Sequence, residues 1–380
     1  MEFLFNEEQR ELKKRVIELC KERLKPIEKS LGETNILSKE VVSLLAKAGL
    51  FKLLVTKEYG NSTEMPSLVS VCLVREQLAR FCPHAELIFV MQGLGSYPII
   101  FAGSKEQKVK YCPWIASGEK IFTFALTEPH AGSDVSSIET SATLEGDHFM
   151  VTGQKIFISL APDADIYMVM VKTEKEKGTK GISALIVEKG YQGFDPGKRL
   201  NLVSAHPIGA PVFENCKVPK SNLIGGLNGG FRIALKNLDF FRSTVGAGAV
   251  GMAQAALDEA IHYARSRTQF GKRISEFQAI QFKLADMATE LTAARALVYR
   301  TGYLHDHGAE RITMESSMAK LYATEAAQRI IDQALQIHGG YGVMKGYRVE
   351  RLYREIRSIR VYEGTSEIQH LVIANMLLKQ

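Results

Sequence analysis

Between Ile121 and Ile224 the chain is built of short runs rich in β-branched and aromatic residues, punctuated by Gly, Pro and Asp, whereas the residues on either side follow helical spacing. This change of texture constrains the fold more than any single motif. Apolar residues at a period of two bury one face of a strand, and the same residues at a period of 3.6 bury one face of a helix, so the two patterns are not interchangeable. The runs are Ile121–Leu126, Thr140–Leu144, His148–Thr152, Ile156–Ser159, Ile166–Lys172, Ile182–Val187 and Pro211–Val218. Gly146-Asp147 separates two of them and reads as a hairpin turn. They predict a central β domain over 120–228, of barrel or sandwich type.

The flanks predict helices. In the N-terminal stretch, 1–119, Asn6 and Gln9 form a capping-box pattern ahead of Leu12, Val16, Leu19 and Leu24, and the pattern stops at Pro26. Ser38 precedes Val41, Leu44, Leu45 and Ala48, closed by Gly49; Pro66 opens a third helix through Leu68, Val71, Leu73, Leu78 and Ala79; Ser104 with Gln107 gives another start. In the C-terminal stretch, 229–380, one helix is expected from about Phe231 to Arg267, a second from a Ser275–Gln278 capping box, a third from about Met314 to His338 before Gly339-Gly340, and a short one from about Ser366. The expected fold class is α+β, an N-terminal helical domain, a central β domain and a C-terminal helical bundle.

At 380 residues the chain exceeds what one core spans, and 46% apolar with 24% charged residues is the balance of a chain that folds throughout. The most apolar stretch, Leu87–Ile100, is interrupted by Gln92, glycines and Pro98, so no membrane-spanning segment is expected. The acidic start, Met1 to Glu8, is unlike a secretory leader, which points to a soluble cytoplasmic protein. Five scattered cysteines without a Cys-x-x-Cys spacing suggest buried thiols. His130, His206 and His338 sit in no cluster with metal-ligand spacing, so no metal is expected. The net charge of +6 is spread along the chain, which suits an anionic small ligand and argues against nucleic acid.

Gly246-Ala247-Gly248-Ala249-Val250-Gly251 matches the dinucleotide fingerprint, yet that motif works only where a strand turns into a helix. Its flanks, Leu235, Leu238, Val245, Met252, Ala256 and Leu257, are helix-periodic, so small residues for close helix packing are expected instead.

Three patches are too particular to be structural punctuation: Ala125-Leu126-Thr127-Glu128-Pro129-His130-Ala131-Gly132-Ser133-Asp134; Arg267-Thr268-Gln269-Phe270-Gly271; and the pair Gln336-Ile337-His338-Gly339-Gly340 and Tyr362-Glu363-Gly364-Thr365. In these patches the chain resembles the acyl-CoA dehydrogenase family, whose motifs take the forms T-E-P-x-A-G-S-D, R-x-x-F-G, Q-x-x-G-G and Y-E-G-T. The resemblance covers essentially the whole chain and shares the α, β, α order.

The resemblance implies an FAD-dependent α,β-dehydrogenation of an acyl-CoA thioester, with Glu363 as the base for the α proton and hydride passing from the β carbon to flavin N5. An α C–H beside a thioester is a weak acid, and a carboxylate gains basicity when water is expelled around it. A solvated loop carboxylate is the plain alternative for Glu363. Ser133, Asp239, Arg242 and Gly364 match positions near the substrate, although Asp239 and Arg242, three apart on one helix face, read equally as a surface ion pair. Phe124, Leu126, Thr127, Ser133, Phe157 and Ser159 match flavin contacts. There the chain departs from the family: tryptophan is replaced by Phe157, threonine by Ser159 and asparagine by Leu160. Strand packing alone would also explain Phe157. Gln269 and Phe270 match cofactor-binding positions, and Arg267 and the Gln336, Gly339 and Gly340 turn match positions that reach the FAD of a neighbouring subunit, implying a homo-oligomer, a tetramer or a dimer. Thr365 and Glu367 match positions facing the FAD, and Glu367 also reads as a first-turn helix charge. An electron-transfer flavoprotein is the implied electron acceptor. A dehydrogenase or oxidase of a carrier-protein-bound acyl thioester is the alternative, and a non-catalytic relative would be expected to lack the base or the flavin contacts. Ala205-His206-Pro207-Ile208-Gly209 is unusual for the family, and the sequence assigns it no role.

Overall fold

A computed structural model describes residues 5–378, so part of the acidic start, Met1-Glu2-Phe3-Leu4, lies outside the described residues. The chain forms two compact units by internal contacts. One takes Thr34–Pro66 and Leu87–Leu238; the other takes the residues up to Glu33, Ser67–Glu86 and Asp239 onward.

The first unit holds the sheet. Its strands are β1 (Phe122–Ala125), β2 (Ser141–Glu145), β3 (His148–Gln154), β4 (Ile158–Ser159), β5 (Ile166–Lys172), β6 (Ile182–Glu188), β7 (Phe194–Arg199), β8 (Ile208–Pro219) and β9 (Leu223–Ile224). They hydrogen-bond in the order β4-β8-β3-β2-β5-β6-β9, with β1 on β5 and β7 on β8. β1 runs parallel to β5, while β3, β4 and β7 all run antiparallel to β8. Every predicted run is a strand, and β8 begins earlier than predicted. β7 and β9 were not predicted. β7 contains Pro196 and Gly197, residues that weaken a strand signal, and its register shifts between Asp195 and Lys198 to accommodate them. Phe194 meets Tyr167 edge-on and Phe213 at a tilt, with ring centroids 4.7 and 5.3 Å apart.

The helix Pro83–Ala102 runs straight through Gln92 and Pro98. By length and composition alone it could cross a membrane, but 89% of its most apolar 18-residue window is buried, as in a core helix. Gln92 is tolerated because its amide is fully used: Nε2 donates to the carbonyls of Ile115 and Lys120 at 3.2 and 3.0 Å, and Oε1 accepts from Phe122 N at 3.1 Å. Gly95 lets this helix approach β1, since a Cβ there would lie 2.5 Å from Thr123 N.

The second unit is helical. The capping box at Asn6 and Gln9 opens Glu7–Leu19, and Pro66 is followed by Leu68–Phe81 with Ser67 as its cap. In the other unit, Ser38 caps Lys39–Lys47, and Ser104 forms a full capping box with Gln107. The long helix Gly230–Ser266 passes from one unit's residues into the other's; Gln278–Asp306, Thr313–His338, Arg348–Ile359 and Ser366–Leu378 follow it. The Ser275–Gln278 capping box does not form. Ser275 lies in a short 3-10 turn, and Gln278–Asp306 starts after Phe277 with no side-chain cap. Arg348–Ile359 went unpredicted although Val349, Leu352, Ile356 and Ile359 give it a buried stripe. Gly246 and Gly251 lie inside a helix, as expected: a Cβ on Gly251 would sit 2.1 Å from the carbonyl oxygen of Glu76 on Leu68–Phe81. All five cysteines are buried and free.

Candidate active site

In the helical unit, Tyr362-Glu363-Gly364-Thr365 forms the turn between Arg348–Ile359 and Ser366–Leu378. Two consecutive residues of it have left-handed backbones, Glu363 at φ 53° and Gly364 at φ 92°. Glycine adopts that conformation without penalty; glutamate does so at a cost of about 1 kcal/mol or more, and only where its surroundings over-determine it. Five bonds supply that determination. Arg242 Nε donates to the Glu363 carbonyl at 3.2 Å. Gln369 Nε2 donates to the carbonyls of Glu363 and Gly364 at 3.3 and 2.8 Å. Lys320 Nζ donates to the carbonyls of Arg360 and Gly364 at 3.3 and 2.9 Å. Gly364 is required for a second reason, since a Cβ there would lie 2.6 Å from Gln369 Nε2.

The Glu363 residue as a whole is half-buried, but its Oε2 is buried and has no hydrogen-bond partner. An unpaired buried carboxylate oxygen is costly and is retained where something is to be bound or moved. Burial pushes the carboxyl pKa up, Glu86 adds to this, and Arg75, Arg242 and Lys320 oppose it. Arg242 Nη1 pairs with Asp239 Oδ1 at 3.1 Å, and Thr313 Oγ1 donates to Asp239 Oδ2 at 2.5 Å. Arg242 is only 5% exposed, so the surface-pair reading of these two residues is corrected. Arg75, also buried, pairs with Glu86 and donates to Thr244 Oγ1 at 2.6 Å. Thr365 Oγ1 accepts from Ile368 N at 3.3 Å and caps the last helix. Glu367 is exposed in its first turn, held below the usual carboxylate range by its own backbone N–H and the Thr365 side chain.

Elsewhere on the helical unit, Thr268–Gln269 and Lys272–Arg273 pair as a two-stranded hairpin whose turn residues, Phe270 and Gly271, both have positive φ. Arg267, Gln269 and Phe270 are exposed, Phe270 at 93%. Gln336, Gly339 and Gly340 are likewise exposed where Thr313–His338 ends, while the neighbouring His338 stacks on Tyr263 with centroids 4.3 Å apart.

In the sheet unit the Thr127 turn and the strand β4 are tied together. Ile156 N donates to the Thr127 carbonyl at 2.9 Å, and Lys155 Nζ donates to the Leu126 carbonyl at 3.0 Å and to Glu128 Oε1 at 2.7 Å. Glu128 accepts in turn from Glu139 N and Thr140 N at 2.5 and 3.0 Å. Phe124 is buried, Leu126 and Thr127 are half-buried, and Ser133 is exposed. β4 is bracketed by two residues in left-handed conformation, Phe157 at φ 57° and Leu160 at φ 62°. The Phe157 ring is held 54% exposed while Leu160 is fully buried. The Ser159 carbonyl accepts from Thr123 Oγ1 at 2.6 Å, and its hydroxyl lies 2.9 Å from Nε2 of His206. His206, which the sequence left without a role, thus contacts a predicted site residue. An exposed aromatic ring on a strained strand, next to a hydroxyl, fits the stacking and hydrogen bonding that an isoalloxazine ring needs.

Lys320, Gln369, Arg75 and Lys155 belong to no motif that the sequence singles out. Lys320 carried a signal: a lone cation among Ser316, Ser317, Ala319 and Ala323 on the buried side of its helix.

The chain matches three consecutive family descriptions: the acyl-CoA dehydrogenase N-terminal domain over residues 6–119, middle domain over 123–216 and C-terminal domain over 228–378. It is 42% identical over 380 residues to a 3-(aryl)acrylate reductase of Clostridium sporogenes, covering 99% of this chain and 100% of that protein. It is 43% identical over 367 residues to the caffeyl-CoA reductase-Etf complex subunit CarC of Acetobacterium woodii, covering 96% and 95%. The solved butyryl-CoA dehydrogenase of Megasphaera elsdenii superposes with a TM-score of 0.95 at 35% identity, covering 98% of this chain and 99% of that one. The chain is a flavoprotein-family oxidoreductase with the acyl-CoA dehydrogenase fold. It belongs to the acyl-CoA dehydrogenase family.

Proposed function

We propose that this protein catalyses FAD-dependent α,β-dehydrogenation of an acyl-CoA thioester, with Glu363 moving the α proton. The observation that carries the reading is the buried, unpartnered Oε2 of Glu363 on a turn held by five hydrogen bonds. A carboxylate so desolvated is a stronger base than one in water, and a fixed backbone limits the reorganisation needed when the proton transfers. Arg75, Arg242 and Lys320 oppose the upward push of burial on this carboxyl. The residues that would hold FAD are Thr127, Phe157 and Ser159 in the sheet unit, with Arg267, Gln269 and the Gln336–Gly340 turn reaching the FAD of a second copy. Bound FAD supplies the acceptor for the hydride that leaves the β carbon. An electron-transfer flavoprotein is the proposed redox partner, supported by the relative named as a subunit of a reductase-Etf complex.

A second reading concerns direction. Two similar proteins are named as reductases, which favours reduction of an enoyl or arylacryloyl thioester as the working direction. Glu363 then delivers the proton to the α carbon, by microscopic reversibility.

Glu363→Gln tests the role of Glu363, which the two directions share. The variant is expected to keep its yellow flavin and to bind thioester while losing flavin bleaching by acyl-CoA and the reverse reoxidation by enoyl-CoA. Bleaching at a near-normal rate would remove Glu363 from the proton step.

A further inference from the structure

Lys320 is fully buried, and both of its hydrogen bonds go to neutral carbonyls, those of Arg360 and Gly364, on either side of Glu363. Burying an ammonium costs several kcal/mol, a cost usually offset by direct pairing with a carboxylate. The buried positions around it on the helix, Ser316, Ser317, Ala319, Ala323 and Thr324, are small and supply no carboxylate. The two carbonyls it holds bracket Glu363, whose backbone is left-handed, and Gln369 holds one of the same two.

We propose that Lys320 is a positioning residue for the base. It clamps the ends of the turn so that Glu363 keeps its left-handed conformation, and its charge adds to those of Arg75 and Arg242 in favouring the ionised carboxylate. This rests on the reading of Glu363 as the proton-moving group. The ammonium enters no covalent step; it acts through the turn and through the field at the carboxylate.

The groups facing Glu363 are Arg75 from Leu68–Phe81, Glu86 from Pro83–Ala102, Arg242 from Gly230–Ser266 and Lys320 itself. Those facing Lys320 are Glu363, Arg242, Glu325 from its own helix and Glu367 from Ser366–Leu378. Burial lowers the Lys320 pKa to about 8, so the ammonium is charged through neutral pH. A nearby cation favours the ionised carboxylate. Removing it raises the Glu363 pKa, and activity that requires the ionised base then begins at a higher pH.

The test is single-turnover flavin bleaching of the holoenzyme by an acyl-CoA substrate across the pH range, for wild type, Lys320→Met and Lys320→Arg. Lys320→Met is expected to keep its flavin and its KM, to lose about tenfold or more in the bleaching rate, and to move the acidic limb of the profile to higher pH. Lys320→Arg, which keeps charge and donors, is expected to restore the limb and most of the rate. A merely structural role would lower the melting temperature and leave the limb where it is; that result, or a wild-type rate and limb in Lys320→Met, overturns the proposal. If Lys320→Met does not fold, Lys320→Gln is measured against the same two criteria. An active Glu363→Gln removes the base reading itself, whereas an inactive Glu363→Gln beside an unshifted Lys320→Met limb removes only the role of Lys320.

Discussion

Lys155 Nζ lies 2.7 Å from Oε1 of Glu128, with the lysine wholly buried and the glutamate 6% exposed. Burial lowers the lysine pKa to about 8, while Lys155 and the backbone N–H of Glu139 hold the Glu128 carboxyl below its usual range. The pair joins the Thr127 turn to the segment entering β4. Lys155→Met would leave the buried Glu128 carboxylate with backbone N–H partners but no counter-charge, and is expected to cost about 3–5 kcal/mol, read as a lower urea midpoint. Flavin content is expected to fall with it, because the turn that bears Thr127 loses its anchor. An unchanged urea midpoint would show that the pair does not hold this turn.

Glu355 gives a stability effect whose sign depends on pH. Its Oε2 is buried without a partner, and burial with nearby Glu28 pushes the carboxyl pKa up to about 8. In the unfolded chain a glutamate releases its proton at about pH 4.3. Between those values the folded state holds a proton that the unfolded state has lost, so stability falls as pH rises from about 4.3 to about 8. Glu355→Gln removes the titrating group. Its melting temperature is expected to exceed that of wild type by most at pH 8 and above, with the difference shrinking toward pH 4.5. A pH-independent difference would contradict this.

Gly251 tests the close packing read from the false dinucleotide fingerprint. A Cβ there would meet backbone, the Glu76 carbonyl oxygen at 2.1 Å, which no rotamer change relieves. Gly251→Ala is expected to destabilise by about 1–3 kcal/mol or more through helix displacement. Gly190, whose Cβ would meet nothing within 4 Å, is the control, and Gly190→Ala is expected to be neutral or slightly stabilising. Equal melting temperatures for the two variants would defeat the packing argument.

How far the sequence was legible follows from distance along the chain. β1 to β6 and the caps at Asn6, Ser38 and Ser104 depend on residues a few positions apart, and local pattern found them. β7 was missed because Pro196 and Gly197 erase its local signal, while its pairing comes from β8. Ser275 has the right local pattern, but Phe277 takes the cap position. The clamp on Glu363 joins residues 44 and 121 positions apart, and His206 meets Ser159 across 47. No periodicity encodes such pairs; packing of the elements that carry them does. The Tyr362-Glu363-Gly364 turn itself was legible only through family resemblance, since neither its backbone conformation nor its buried oxygen leaves a local trace.

The Ser159–His206 contact carries a consequence for whatever meets β4. A serine hydroxyl has one hydrogen. When His206 Nε2 is bare, that hydrogen is drawn to the imidazole, and Ser159 offers a neighbour only lone pairs; when Nε2 bears its own hydrogen, the hydroxyl is released to donate outward. The polarity that Ser159 presents at β4 is therefore set by a histidine 47 positions away, through its tautomer.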